Sequence, residues 1–295
     1  MNKNKNLNPY FISGFADAEC SFIIEIGRSP TRIGWSVKAV FRIHLHSKDL
    51  PLLHKIQEFF GGIGSLHVAK NGQSASFIVT KLDDIKYIIP HFKAYPLRSA
   101  KKIDFQLWLE CVKLIENKEH LTKEGLNKIL SLKSALNLGL SENLKAAFPN
   151  VVPIERPAYQ VSEAPLDPNW VSGFTEGDGS FFVSISSKTN QVRVRYGIGL
   201  NNRETPLMLK IQKFFGGIGT FATNSERKVV IYTISKARDL TSVILPHFDT
   251  HGLRGNKLYN YLIWKEILLL VNSKAHLTPE GLAQIKELRS KLNIF

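Results

Sequence analysis

The sequence is written twice. ISGFADAECSFIIEI from Ile12 returns as VSGFTEGDGSFFVSI from Val171, KIQEFFGGIG from Lys55 as KIQKFFGGIG from Lys210, and IIPHF from Ile88 as ILPHF from Ile244. LRSAKKIDFQLW from Leu97 returns as LRGNKLYNYLIW from Leu253, and HLTKEGL from His120 as HLTPEGL from His276. The offsets are 159, 155, 156, 156 and 156 residues, so the order is kept with only small insertions. A long unit present only twice predicts two related lobes packed as a pseudo-symmetric pair; a solenoid needs several short repeats to cover its core. Between the copies fall Pro149, Pro153, Pro157, Pro165 and Pro168, a composition that suits an extended connector. The expected organisation is a first lobe over 1–147, a linker over 148–168 and a second lobe over 169–295.

Within each copy the periodicity is readable. Trp35, Val37, Ala39, Phe41, Ile43 and Leu45 alternate with Ser36, Lys38, Arg42 and His44, the pattern of a half-buried strand. Val192, Val194, Tyr196 and Ile198 alternate in the same way with Gln191, Arg193 and Arg195. Residues 50–60 and 205–215 predict helices, each with a proline in its first turn (Pro51, Pro206) and a glycine pair after its end (Gly61 with Gly62, Gly216 with Gly217). The longest helical patterns cover about 99–116 and 255–272. Each lobe therefore reads helix, strand, strand, helix, strand, strand, then helices, with a sheet polar on one side and helix-covered on the other. This is an α+β fold.

Composition narrows the partners. Hydrophobic residues at 43% and charged residues at 22% exclude the disordered and fibrous classes. Thirty-nine Lys and Arg against 25 Asp and Glu leave a formal charge of +14, the footprint of a polyanion binder, with nucleic acid as the leading partner. A basic protein that is merely soluble, or one that touches anionic lipid, is the competing reading. Cys20 and Cys111 are the two cysteines, and neither a CxxC pair nor a zinc-like Cys/His spacing is present. The opening MNKNKNLNPY lacks a secretory apolar core and an arginine-rich transit pattern, and no later run is long enough to cross a bilayer, so no membrane partner is expected.

Ser13-Gly14 and Ser172-Gly173 place small residues in mid-helix, where they cost helix stability but let two backbones approach closely. Each helix then ends in acids, Asp17 and Glu19 in one copy and Glu176 and Asp178 in the other. A carboxylate at a helix C-terminus faces the negative end of the macrodipole, and paired carboxylates repel unless protonated or metal-bound. Two such termini side by side would bring Glu19 and Asp178 together, and a divalent cation is the simplest resolution. Oxygen-only ligation that keeps several waters suits Mg²⁺. Solvated helix ends are the alternative.

ISGFADAEC and VSGFTEGDG, in register and with long co-linear flanks, resemble the two copies of the LAGLIDADG motif of homing endonucleases, and the resemblance covers nearly the whole chain. The look-alikes are monomeric, fungal, mitochondrial and intron-encoded. The resemblance implies two αββαββα lobes with a saddle-shaped antiparallel DNA-binding sheet, cleavage of both strands of a long asymmetric duplex, a mitochondrial location and Mg²⁺ as cofactor, with Mn²⁺ or Ca²⁺ able to substitute for binding. It assigns metal to Glu19 and Asp178, assisted by the carbonyls of Ala18 and Gly177, and gives Asp17 and Glu176 no direct catalytic role. Lys101 and Lys257, at matching positions, become active-site-edge lysines; two ordinary surface lysines are the alternative, and Arg98 and Arg254 are a weaker version of the same case. Cys20 departs from the motif's glycine, which Gly179 keeps, and this leaves the backbone there less free to bend.

Target reading is expected on the polar sheet faces, where Arg, Lys, Gln and His can reach base edges in the major groove. In the first lobe the candidates are Ile23, Glu25, Arg28, Lys38, Arg42, His44, His67 and Ser76. In the second they are Phe182, Ser184, Ser186, Lys188, Gln191, Arg193, Arg195, Thr220 and Lys228. A plain solvated face is the alternative for any one of them. Two other functions fit the same scaffold: an RNA-binding maturase for the host intron, with lysines of 123–145 as a second basic surface, and a DNA-binding regulator that does not cut.

Overall fold

The computed structural model describes residues 7–30 and 33–292. The chain divides into two compact units, one holding Glu19–Ser162, the other Asn8–Ala18 together with the chain from Glu163 onward. The first helix, α1 (Pro9–Glu19), thus clusters almost entirely with the second copy of the repeat.

In the first unit β1 (Cys20–Arg28), β2 (Trp35–His46), α2 (Leu50–Phe59), β3 (Ser65–Val68), β4 (Ser74–Val79), α3 (Leu82–Ala94), α4 (Lys101–Glu116), α5 (Lys123–Ser134) and α6 (Glu142–Ala147) follow in order. The second unit carries α7 (Pro168–Asp178), β5 (Gly179–Ile185), β6 (Val192–Asn201), α8 (Thr205–Phe214), β7 (Thr220–Asn224) and β8 (Val229–Ile234). It continues through α9 (Ala237–Asp239), a π-helical turn at Leu240–Ile244, α10 (Leu245–Thr250), α11 (Lys257–Asn272) and α12 (Pro279–Ser290). Both sheets are antiparallel and share one strand order, β1-β2-β4-β3 and β5-β6-β8-β7. The expected α+β architecture holds.

Local sequence accounts for the element ends. Asn8 Oδ1 accepts from the Tyr10 N–H at 2.9 Å, and Asp167 Oδ1 accepts from the Asn169 N–H at 2.8 Å with Pro168 in the first turn, so both motif helices start on a side-chain cap. After α2, Gly61 and Gly62 take left-handed φ of 75° and 78°, letting the Gly62 N–H reach the Gln57 carbonyl at 2.8 Å; Gly216 and Gly217 repeat this after α8. The π turn has a sequence cause as well. The repeat offset grows from 155 at Lys55/Lys210 to 156 at Ile88/Ile244, so the second copy carries one more residue where the first has the uninterrupted α3, and a π turn absorbs one extra residue.

Five rings fill the space between sheet and helices in each unit. Phe22, Phe41, Phe92, Phe105 and Trp108 pack at centroid distances of 5.1 to 6.3 Å, and Phe181, Tyr196, Phe248, Tyr261 and Trp264 take the corresponding places. Burying each such side chain stabilises by about 1.5–3 kcal/mol. Where tyrosine replaces phenylalanine the hydroxyl finds a partner: Tyr196 with Thr175 Oγ1 at 2.8 Å and Tyr261 with Asp249 Oδ1 at 2.7 Å. The Trp108 and Trp264 indoles donate to the carbonyls of Ile23 and Arg195 at 3.2 and 3.0 Å, pinning α4 and α11 onto the strands.

Residues 149–167 form neither helix nor strand. Arg156 nevertheless docks on the first unit through Asp104 at 2.7 and 3.1 Å and the Ala135 carbonyl at 2.6 Å, and the Tyr159 hydroxyl donates to the Arg98 carbonyl. The proline-rich stretch is a strapped segment at these points.

Candidate active site

The two motif helices meet as their small residues anticipate. A side chain at Gly14 would strike the Trp170 carbonyl and come within 2.8 Å of the Phe174 nitrogen; one at Gly173 would strike the Phe11 carbonyl and lie 2.9 Å from the Phe11 Cα. The contact is reciprocal, Phe11 standing to Gly173 as Trp170 stands to Gly14, and it lies inside one compact unit. Each helix ends on an acid, Glu19 on α1 and Asp178 on α7, and the next residue, Cys20 or Gly179, already belongs to the first strand of a sheet. Each acid therefore stands at a junction of helix and sheet.

The sixth-letter acids are tied inward. Asp17 is buried and accepts from the Trp170 indole at 2.9 Å. Glu176, also buried, accepts from the backbone N–H groups of Arg254 at 2.6 Å, Gly255 at 3.0 Å and Lys257 at 3.2 Å, and so holds the N-terminus of α11. Lys101 and Lys257 are the first residues of α4 and α11. The Lys257 ammonium donates to the carbonyls of Gly177 and Gly179, both at 2.6 Å, and brackets Asp178. This places a cation at the negative end of α7, worth about 0.3–1 kcal/mol in such a setting.

Cys20 has a simple explanation. Gly179 has φ −80° and ψ 160°, extended backbone open to any residue, so no bend demands glycine there. The obstacle to a side chain at 179 is Thr175, whose Cγ2 and carbonyl would be struck. The counterpart of Thr175 in the first copy is Ala16, which has no γ-methyl, and Cys20 is accommodated, buried at the start of β1.

Among the described residues no three His, Cys, Asp or Glu gather in a way that could hold a metal ion. Each motif by itself offers oxygen donors where its helix ends: the Glu19 carboxylate after the Ala18 carbonyl, and the Asp178 carboxylate after the Gly177 carbonyl. This all-oxygen set fits a hard cation that keeps water and phosphate ligands. The Gly177 carbonyl, though it accepts from Lys257, retains a second lone pair.

On the first sheet the pairings Glu25–Lys38, Arg42–Ile78 and His44–Ser76–His67 put Ile23, Glu25, Lys38, Arg42, His44, Ser76 and His67 on one face. Arg42 pairs with Glu25 at 3.2 Å, and His44 Nδ1 lies 2.7 Å from Ser76 Oγ. Arg28 breaks the parity expectation. It sits on the other face at the strand end, its guanidinium 4.2 Å from the Trp35 ring centroid in a cation–π contact. On the second sheet Phe182, Ser184, Arg193, Arg195 and Thr220 share a face, with Arg193 opposite Ser184 and Arg195 opposite Phe182. Ser186, Lys188 and Gln191 lie in the turn after β5, where Gln191 Oε1 accepts from Arg193 at 3.0 and 3.2 Å. Lys228 is also off the strands, in the β7–β8 turn at φ 51°. The same face also carries Gly199, Ile231 and Ala222, an apolar row that strand parity does not single out.

Among the described residues no helix is long and apolar enough to cross a membrane. The sequence pattern of the family described as LAGLIDADG endonuclease matches residues 12–112 and 171–268. A Neurospora crassa protein named probable intron-encoded endonuclease 3 is 38% identical over 96% of this chain, which spans 54% of that protein's length. The crystal structure of the LAGLIDADG meganuclease I-CpaMI bound to uncleaved DNA is similar at TM-score 0.91 and 39% identity, covering 98% of this chain and 100% of that one. That of the I-SmaMI LAGLIDADG homing endonuclease bound to cleaved DNA is similar at TM-score 0.92 and 36% identity, covering 99% of each chain.

Proposed function

The chain belongs to the LAGLIDADG endonuclease family, and from that premise we propose that it is a homing endonuclease that cuts both strands of one long, asymmetric DNA duplex and so moves its intron. The observation that carries this reading is the duplicated junction: two helices locked through Gly14 and Gly173 each end on an acid and run without a loop into a sheet whose outward face bears cations and amides. The formal charge of +14 suits a phosphate backbone. The names of the similar proteins support a DNA substrate, and the intron-encoded Neurospora crassa relative supports an origin in a fungal intron; the motif resemblance adds the mitochondrion as the place of action. One chain carries both motifs, so a monomer suffices. The lobes are taken as residues 1–147 and 169–295, joined by 148–168.

Glu19 and Asp178 are the acids we assign to Mg²⁺, which when bound would supply positive charge against the phosphodiester and the leaving 3′ oxygen. The chain's own groups do the rest. Glu176 fixes the start of α11, and Lys257 thereby stands beside Asp178 with a proton-rich, positively charged head ready for phosphate or for an ordered water. Lys101 is assigned the same duty in the first copy. The sheet faces hold the duplex in register: arginines and lysines meet phosphates, and the side chains between them meet base edges.

The test is selection of cut products from a randomised duplex library in Mg²⁺, followed by the same duplex with Glu19→Gln and Asp178→Asn. Both variants should bind it in Ca²⁺ and neither should cut in Mg²⁺. Full cutting by either variant rejects the metal assignment, and a library with no cut products rejects the nuclease reading.

A further inference from the structure

The two sheets differ in chemistry at one row across three strands. On the first, His44 of β2, Ser76 of β4 and His67 of β3 lie side by side across three strands. At the corresponding register on the second sheet stand Gly199 of β6, Ile231 of β8 and Ala222 of β7. A row of hydrogen-bonding groups, already linked at 2.7 Å between His44 and Ser76, is replaced by a row with no side-chain polar atom.

Packing does not call for this replacement. A Cβ at Gly199 would meet nothing nearer than Ile231 Cγ1 at 3.8 Å, an ordinary contact, and φ at Gly199 is not positive. Glycine inside a strand weakens it and often marks a bulge, a bend or a place where another molecule approaches the backbone; the pairing runs unbroken through Gly199, so no bulge accounts for it. Ile231 is 41% exposed and Phe182, on the same face, 46%. The patch is flanked by cations: Arg193 and Arg195 continue β6 on this face, and Lys228 stands in the turn before β8. An apolar strip between positive ends suits a major groove, where phosphates line the rims and the C5-methyl of thymine is the apolar group on the floor.

We propose that the Gly199–Ile231–Ala222 row reads a thymine methyl group in one half of the target, at the register where the first sheet presents the hydrogen-bonding His44–Ser76–His67 row to the other half. Gly199 opens the space, Ile231 supplies the contact, and Ala222 keeps the neighbouring strand low. The inference rests on the endonuclease reading above and adds the chemistry of the base that is read.

The experiment uses the full chain and the duplex recovered by selection, with each thymidine replaced in turn by deoxyuridine, which removes the methyl and keeps every hydrogen-bonding group. Affinity in Ca²⁺ should fall about fourfold at one position or two adjacent ones, the worth of one buried methyl, and stay unchanged elsewhere. Ile231→Ser, which installs the residue the first sheet has at this register, should bind the thymidine and deoxyuridine duplexes equally at that position. A purely structural role for Ile231 would weaken both duplexes alike and keep their ratio. Tolerance of deoxyuridine throughout, or an unchanged ratio in Ile231→Ser, overturns the proposal while leaving the nuclease reading intact. Absence of binding to any duplex overturns both.

Discussion

The carboxylate of Glu176 accepts a hydrogen bond from the backbone nitrogen of Lys257 at 3.2 Å, so a residue at the end of one helix sets where another begins. The same carboxylate also holds the N–H groups of Arg254 and Gly255. Glu176→Ala should leave three donors at the α11 N-terminus without their acceptor and destabilise the second unit by about 3 kcal/mol, since charge-assisted bonds of this kind contribute about 1.5–3 kcal/mol each but are not additive. Glu176→Gln retains one acceptor oxygen and should lose about half as much. Urea denaturation of the three proteins measures this; equal stability of all three would show that the contact is incidental.

Lys257 holds the carbonyls on both sides of Asp178, and its removal should separate chemistry from binding. Lys257→Met keeps the alkyl stem and deletes the charge. Cutting should slow about 100-fold, the scale of losing one preorganised charged donor, while affinity in Ca²⁺ falls less than threefold, a shift below about 0.7 kcal/mol. Single-turnover cleavage against equilibrium binding decides it. The reverse pattern, weak binding with normal chemistry, would make Lys257 a plain phosphate contact.

Gly173 and Gly199 should respond to alanine with opposite signs. At Gly173 the added methyl meets the Phe11 backbone, which cannot rotate away, so Gly173→Ala should cost about 1–3 kcal/mol despite alanine's better helix propensity. At Gly199 the nearest atom is 3.8 Å off, and alanine removes the entropy penalty of a strand glycine, so Gly199→Ala should stabilise by about 0.5 kcal/mol. Denaturant midpoints of the two variants test the pair, and a stabilised Gly173→Ala would contradict the close helix contact.

These contrasts show which features a single sequence exposes. Repetition and period made the element order, the strand faces and the start of α11 at Lys257 legible, because each depends on local pattern or on self-similarity. Period 2 does not extend to Arg28 at the strand end or to Ser186, Lys188, Gln191 and Lys228 in the turns, so parity alone does not give their faces. The grip of Arg156 on Asp104 joins residues 52 apart in sequence, and no short-range pattern encodes it. Gly179 looked like a hinge and is instead a packing requirement set by Thr175, a property of the pair that one letter cannot reveal. The row at Gly199 is illegible in sequence for another reason: apolar residues in a strand read as core until the register shows which face they occupy.

Two buried imidazoles make stability depend on acid. His91 packs edge-on against Phe59, Phe60 and Phe92 at 5.3, 5.3 and 4.9 Å, and His247 repeats the arrangement against Phe214, Phe215 and Phe248. Burial disfavours the charged ring and lowers the His91 pKa to about 4 and the His247 pKa to about 3, the latter helped by nearby His251. The unfolded chain, with histidine near 6.5, then takes up protons before the folded one does, so stability rises with pH across this window. The contribution is complete above pH 6.5 and is lost as pH falls toward 4, at about 1.4 kcal/mol per pH unit for each ring once the unfolded histidine is protonated. Replacing His91 with phenylalanine, among three existing phenylalanines, deletes one titrating group and should remove about half of that slope between pH 6 and 4. Denaturation midpoints across this range measure it, and a slope equal to that of the parent protein would mean that the folded His91 ring is already protonated.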